Sequence, residues 1–219
     1  MTPAPIRIVL ADDESMVRTA LRVILCAEPG LEVVGEAATG AEAVSVVREL
    51  GPDVVLMDVR MPEIDGIRAT EQILTTLDTP PRVVVVTTFE NDAYVYEALR
   101  VGASGFLLKR ASADELVQAV RLVARSDSLL FPSAVRALAA EHARGRRRPA
   151  PWVARLTGRE SEVLRYMAAG LTNAEIAARM GVGPATVKTH VAAVLAKTGV
   201  RDRTQAVIAA YESGFMKPS

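Results

Sequence analysis

Asp12 and Asp13 directly follow one short apolar run, and Asp58 directly follows another, Val54–Met57. If both runs are strands of one parallel sheet, all three carboxylates stand at strand carboxyl ends, where open α/β sheets bind ligands. Three unpaired carboxylates held that close repel one another strongly. A hard divalent cation relieves the repulsion, and Mg2+ is satisfied by one or two carboxylates, with water and phosphate oxygens completing its shell. A carboxylate beside Mg2+ is well placed to attack phosphorus and form an aspartyl phosphate. Lys109, just after a further apolar run, can offset charge on the transferring group, and the Thr87 hydroxyl can donate to one of its oxygens. Only four of the 26 basic residues are lysines (Lys109, Lys188, Lys197 and Lys217). A lysine in so arginine-rich a chain marks a place where a compact point charge is preferred.

These side chains need strands to hold them, and the first half of the chain supplies five. Apolar, β-branched runs at Ile6–Leu10, Glu32–Glu36, Asp53–Met57, Val83–Val86 and Gly105–Leu108 alternate with helical patterns at about 15–27, 40–50, 65–77, 91–101 and 112–124. The last pattern opens on Ser112-Ala-Asp-Glu115, a capping-box signature. Regular alternation of this kind predicts an α/β domain: a doubly wound, five-stranded parallel sheet with helices on both faces. A further helix over Leu129–Ala143 precedes Arg144-Gly-Arg-Arg-Arg-Pro-Ala-Pro151, which reads as a flexible linker. Beyond it the pattern is all-α, with helices at 158–169, 173–180, 184–198 and 202–213. Two of these open on capping boxes, Thr157-Gly-Arg-Glu160 and Thr172-Asn-Ala-Glu175. The expected organisation is a first domain at 1–125, a helical and Arg/Pro-rich linker at 126–151, and an all-α domain at 152–219.

Residues 171–190 read as a short helix, a tight turn at Gly181–Gly183 and a second helix, a helix-turn-helix. In the second helix Val187, Val191, Val194 and Leu195 mark a buried face. Ala185, Lys188, Thr189, Ala192 and Ala196 lie opposite, on the face that would enter a major groove. Charge agrees with this division. Residues 1–125 hold 12 Lys+Arg against 19 Asp+Glu, a net of −7, and residues 126–219 hold 14 against 7, a net of +7. The basic part suits a polyanion, and the opposite charges also suit the two parts to each other, with the acidic domain covering Lys188.

Two sets of motifs carry a family resemblance. Asp12-Asp13, the run Asp58-Val-Arg-Met-Pro-Glu-Ile-Asp-Gly66, Thr87-Thr88 and Phe106-Leu-Leu-Lys109 together resemble a response-regulator receiver domain over roughly residues 5–125, a flavodoxin-like fold. The resemblance implies that Asp58 accepts a phosphoryl group from a sensor histidine kinase. It implies that Asp13, Asp58 and the backbone carbonyl of Arg60 bind Mg2+ directly, with Asp12 acting through water. It also makes Thr87 and Phe106 a switch pair, in which the hydroxyl moves to the phosphate and the ring turns inward. Phe106 has no phenolic OH, so an outward hydrogen bond from this ring is excluded. Thr88 and Arg60 flank the phosphate entrance and are expected to slow hydrolysis of the acyl phosphate.

Leu156-Thr-Gly-Arg-Glu160, Thr172-Asn-Ala-Glu-Ile-Ala177, Thr186-Val-Lys-Thr-His-Val191 and Arg201-Asp-Arg-Thr-Gln-Ala206 are similar to the LuxR/NarL-type (NarL/FixJ) output domain over about 155–215. That resemblance implies that Thr172, Asn173, Thr186 and Lys197 line the DNA phosphate backbone. Lys188 and Thr189 would face the groove, and the last helix, near 202–213, would pair in a homodimer. Ala192 and Ala193 depart from the polar or basic residues frequent in the family. A methyl group can touch thymine but cannot hydrogen-bond a base edge, so few direct base contacts are expected.

The reading that follows is a phosphorylation-dependent transcriptional regulator that binds promoter DNA as a dimer, with no enzymatic turnover beyond phosphoryl acceptance and slow loss at Asp58. One alternative is a phosphorylation-independent DNA-binding protein whose receiver only dimerises. A second is a phosphohydrolase working through an aspartyl phosphate, for which neither a specificity cap nor a second general acid is seen. Cys26 falls in an apolar helical pattern and is expected in the core, and His190 has no second metal ligand near it. The N-terminal residues lack an apolar signal region and charges interrupt every hydrophobic run, so a cytoplasmic protein without membrane contact is expected.

Overall fold

The computed structural model describes residues 4–88, 92–125, 132–142 and 150–217. The chain divides into two compact units, residues 1–125 and 126–219.

In the first unit the order is β1 (Ile6–Ala11), α1 (Ser15–Cys26), β2 (Leu31–Ala37), α2 (Gly40–Leu50), β3 (Val54–Asp58), α3 (Gly66–Thr76), β4 (Arg82–Thr87), α4 (Asp92–Val101), β5 (Gly105–Leu108) and α5 (Ala113–Arg125). The strands are all parallel, in the order β2-β1-β3-β4-β5. Every residue of β3 is buried, as are Val83–Thr87 of β4, because helices cover both faces of the central strands. On one face Val9, Val55 and Met57 meet Ala43, Val47 and Ile73 from α2 and α3. Helix starts follow local chemistry. The Thr39 hydroxyl accepts from the Glu42 N–H (3.1 Å), the Asp65 carboxylate from the Arg68 N–H (2.8 Å), and Ser112 and Glu115 form the expected reciprocal cap.

Four strands run one residue beyond their expected carboxyl ends: β1 includes Ala11, β2 Ala37, β3 Asp58 and β4 Thr87. Asp58 is therefore the last residue of its strand, paired with Val86, and Thr87 is paired with Leu108. At Asp58 and Thr87 a polar side chain ends the apolar pattern one residue before the backbone ladder ends. Cys26 corrects an expectation: it is exposed, while its neighbour Leu25 takes the core position. The inward stripe of α1 passes through Leu25, and the outward stripe through Met16, Val23 and Cys26.

The second unit contains α6 (Pro132–His142), a single 3-10 turn (Pro151–Arg155), α7 (Gly158–Ala168), α8 (Asn173–Met180), α9 (Pro184–Thr198) and α10 (Arg203–Glu212). Both expected capping boxes are formed, by Thr157 with Glu160 and by Thr172 with Glu175. Trp152 is buried against Phe215, with ring centroids 6.2 Å apart. The helix expected in the linker is packed rather than free, since Val135, Leu138 and Ala139 are buried and α6 lies on α10. The arginine run at 144–148 lies outside the described residues. Among the described residues, no helix is long and apolar enough to cross a membrane.

Candidate functional site

The carboxyl ends of β1 and β3 bring Asp12, Asp13 and Asp58 together, each offering an oxygen within 4.8 Å of the others'. Asp12 and Asp58 are almost fully buried, whereas Asp13 is exposed. The backbone between Asp58 and α3 turns back tightly. A Cβ on Gly66 would stand 1.8 Å from the Asp58 carbonyl oxygen, so only glycine fits there. The Gly66 N–H donates to the Val59 carbonyl (2.9 Å) and the Val59 N–H to Asp58 Oδ1 (2.8 Å), which fixes the carboxylate.

Lys109 reaches this cluster from the end of β5. Its Nζ lies 2.8 Å from Asp12 Oδ2, 3.2 Å from Asp58 Oδ2 and 3.2 Å from Glu14 Oε1. The Lys109 N–H donates to the Thr87 carbonyl (2.8 Å), so the lysine and the buried threonine are set by one backbone contact. Burial raises the Asp58 carboxyl above its ordinary range and the Asp12 charge adds to this, while Lys109 opposes both. Burial alone would lower the Lys109 ammonium, but its close approach to Asp12 and the charges of Asp58 and Asp12 outweigh that and raise it.

Lys109 pairs with Asp12 Oδ2 by charge at 2.8 Å, and no hydrogen bond reaches that buried oxygen. A buried carboxylate oxygen in this state, within an all-oxygen donor set, fits a hard divalent cation such as Mg2+. Arg60 and Thr88 are exposed beside the cluster, and the Arg60 guanidinium lies over the Tyr94 ring, 5.9 Å from its centroid. Phe106 is half-buried in β5, paired with Val85.

In the second unit, Gly181 ends α8 in the left-handed conformation (φ 65°) that the tight turn requires, and Pro184 opens α9. Val187 and Val194 are buried, and Val191 and Leu195 half-buried. Ala185, Thr186, Lys188, Thr189, Ala192 and Ala196 are exposed along the other face. The remaining expected DNA contacts have partners of their own. Thr172 is engaged in its capping box with Glu175, and the buried Asn173 accepts at Oδ1 from Arg203 Nη1 (3.1 Å). The Lys197 ammonium binds both oxygens of Glu160 (2.7 and 2.6 Å).

Against known proteins, residues 8–121 match the response regulator receiver domain and residues 154–210 match the bacterial regulatory proteins of the luxR family. The chain is a response regulator of the LuxR type. It is 38% identical to the transcriptional regulatory protein YxjL of Bacillus subtilis, over 99% of this chain and 100% of that one. It is 40% identical to the transcriptional regulatory protein LiaR of the same species, over 95% and 98%. Among solved structures, a LuxR-family two-component response regulator from Aurantimonas superimposes with a TM-score of 0.58 at 34% identity, covering 64% of this chain and 99% of that one. This regulator therefore carries a receiver domain and a LuxR-type DNA-binding domain and is a transcriptional regulator.

Three supports of this regulator's sites were not singled out in the sequence. Arg18 donates from Nη1 to the Asp12 carbonyl (2.6 Å) and, with Arg22, holds Glu36 on β2, which steadies the β1–α1 turn. The hydrogen bond from Arg22 lowers the Glu36 carboxyl more than its burial raises it, and Arg18 lowers it further. Glu14 adds a third carboxylate to Lys109. The buried Arg203 spans Asn173 and the Leu171 carbonyl, joining α10 to the start of α8. The available signals were the Arg18/Arg22 pair at helical spacing and an arginine opening the helix that carries the apolar run Ala206–Ala210.

Proposed function

We propose that this regulator takes a phosphoryl group on Asp58 from a sensor histidine kinase and then binds promoter DNA as a homodimer paired through α10. The observation that carries the reading is the fixed, buried Asp58 carboxylate with the Lys109 ammonium 3.2 Å from it, beside Asp12 and Asp13. Asp58 is the nucleophile: its carboxylate oxygen bonds to phosphorus as the phosphorus–nitrogen bond of a phosphohistidine breaks, and the departing imidazole nitrogen takes a proton from water. Asp13, Asp58 and the Arg60 carbonyl would hold Mg2+ directly, with Asp12 acting through water. When bound, the ion offsets charge on the phosphoryl oxygens. Lys109 offsets charge from the β5 side, and the Thr87 hydroxyl donates to a phosphoryl oxygen.

A phosphate shifts the receiver's equilibrium only if it interacts differently with two states. Thr87 and the ring of Phe106 supply that difference: the hydroxyl moves to the phosphate and the ring turns into the space it leaves. In the output domain Lys188 and Thr189 meet the major groove from the exposed face of α9, with Thr172, Asn173, Thr186 and Lys197 toward the phosphate backbone. Footprinting of wild type and Asp58→Ala, with and without acetyl phosphate and Mg2+, tests the reading. Protection that depends on the phosphodonor in wild type and is lost in the variant supports it. Equal protection in both identifies a phosphorylation-independent DNA binder instead.

A further inference from the structure

α10 is enclosed around most of its circumference. Ala206, Val207, Ile208, Ala210 and Tyr211 are buried, and at about 100° per residue they span roughly 200° of the helix. Gln205, Ala209 and Glu212, on the opposite side, are half-buried. The outer helix of a small bundle ordinarily turns one polar face to solvent, and a helix buried nearly all round has a second neighbour. That neighbour is α6. It lies on α10 with Val135, Leu138 and Ala139 buried, and its Arg136 Nη1 donates to the Ala169 carbonyl at the end of α7 (3.0 Å).

We infer that α6 is an intramolecular cover on the pairing face of α10, which a second copy of the chain reaches only after α6 leaves. The inference rests on the reading that the regulator pairs through α10. Ala206, Ala209 and Ala210 share one stripe of α10, where small side chains let another helix approach closely, and the occupant that replaces α6 is the α10 of a second copy. Among the described residues, α6 commits the buried Val135, Leu138 and Ala139 to this packing. Pairing and the departure of α6 from α10 are one event.

Amide hydrogen exchange on the full chain, alone and with acetyl phosphate and Mg2+ under dimer-forming conditions, tests this. In the dimer the amides of residues 132–142 are expected to exchange at least tenfold faster while those of α10 stay protected. A dimer that keeps α6 protected overturns the cover and leaves pairing through another surface intact. A chain that stays monomeric at every concentration with the phosphodonor overturns the cover together with the α10 pairing on which it rests. Sedimentation of Arg136→Ala and Leu138→Ala full chains without phosphodonor gives a second measurement, and Arg136→Ala leaves the apolar contacts of α6 in place. A rise of about tenfold in the dimer association constant supports the cover, and an unchanged or lower constant contradicts it.

Discussion

Lys109 Nζ stands 3.2 Å from Asp58 Oδ2 and 2.8 Å from Asp12 Oδ2, and both carboxylates are buried. One ammonium thus holds together two side chains that would otherwise repel each other in a low-dielectric site.

Replacing Lys109 with Met should leave those carboxylates facing each other. Removing one partner of a buried ion pair costs about 3–5 kcal/mol. Urea unfolding of the receiver transition in EDTA should show a loss near the low end of that range, because Asp13 and Glu14 are exposed and the pocket is open to water. Mg2+ should restore much of it. Stability that does not change in EDTA would show that Lys109 is not what balances the pocket.

Glu160 ties the output domain to pH. The hydrogen bond from Lys197 lowers its carboxyl, and that from the Thr157 N–H lowers it further. A depressed folded-state pKa contributes stability that is complete above the unfolded value and lost as pH falls through the folded one. Gln can still close the capping box, so Glu160→Gln isolates the ion pair. The variant should cost about 1 kcal/mol at pH 7. The difference from wild type should shrink as pH falls below the ordinary carboxylate range and vanish once Glu160 is protonated in the folded domain. A difference that persists in acid would assign the effect to packing.

Arg203 is buried, with its guanidinium divided between Asn173 Oδ1 and the Leu171 carbonyl. Lysine lacks the planar fork needed to reach both. Arg203→Lys should lower the stability of the output domain by about 1–3 kcal/mol through an unsatisfied acceptor. It should weaken DNA binding only as far as the domain unfolds. DNA affinity lost from a fully folded variant would place Arg203 at the DNA instead.

The exposed face of α9 carries Lys188 and Thr189 among alanines. Lys188→Ala should cost about 1–3 kcal/mol of operator affinity. Base-by-base substitution of the operator should find few positions costing more than about 1 kcal/mol, because Ala192 and Ala196 offer no hydrogen bond to a base edge. Several positions each costing more would show direct readout that the alanine face does not supply.

The fold was legible because its local and global signals agree. Val54–Met57 and Val83–Val86 are apolar throughout, as doubly covered strands must be, and the capping boxes at Ser112, Thr157 and Thr172 mark helix starts within a residue. The pocket was legible for a related reason, since strand ends gather whatever polar residues follow the strands. Contacts between distant side chains were not. Nothing in the local pattern distinguishes the Lys197 that meets Glu160 from one facing DNA, or α6 packed on α10 from a linker helix. Cys26 was misplaced because an apolar helix with few charges hides which stripe faces inward, and the side of Leu25 is fixed only by the sheet.

The most direct test of phosphorylation control is the operator affinity of the full chain in Mg2+, with and without acetyl phosphate, for wild type and Asp58→Asn at matched salt. Wild type should tighten at least tenfold and Asp58→Asn not at all. Tightening of equal size in both, or none in wild type that carries the phosphoryl group, would contradict phosphorylation control.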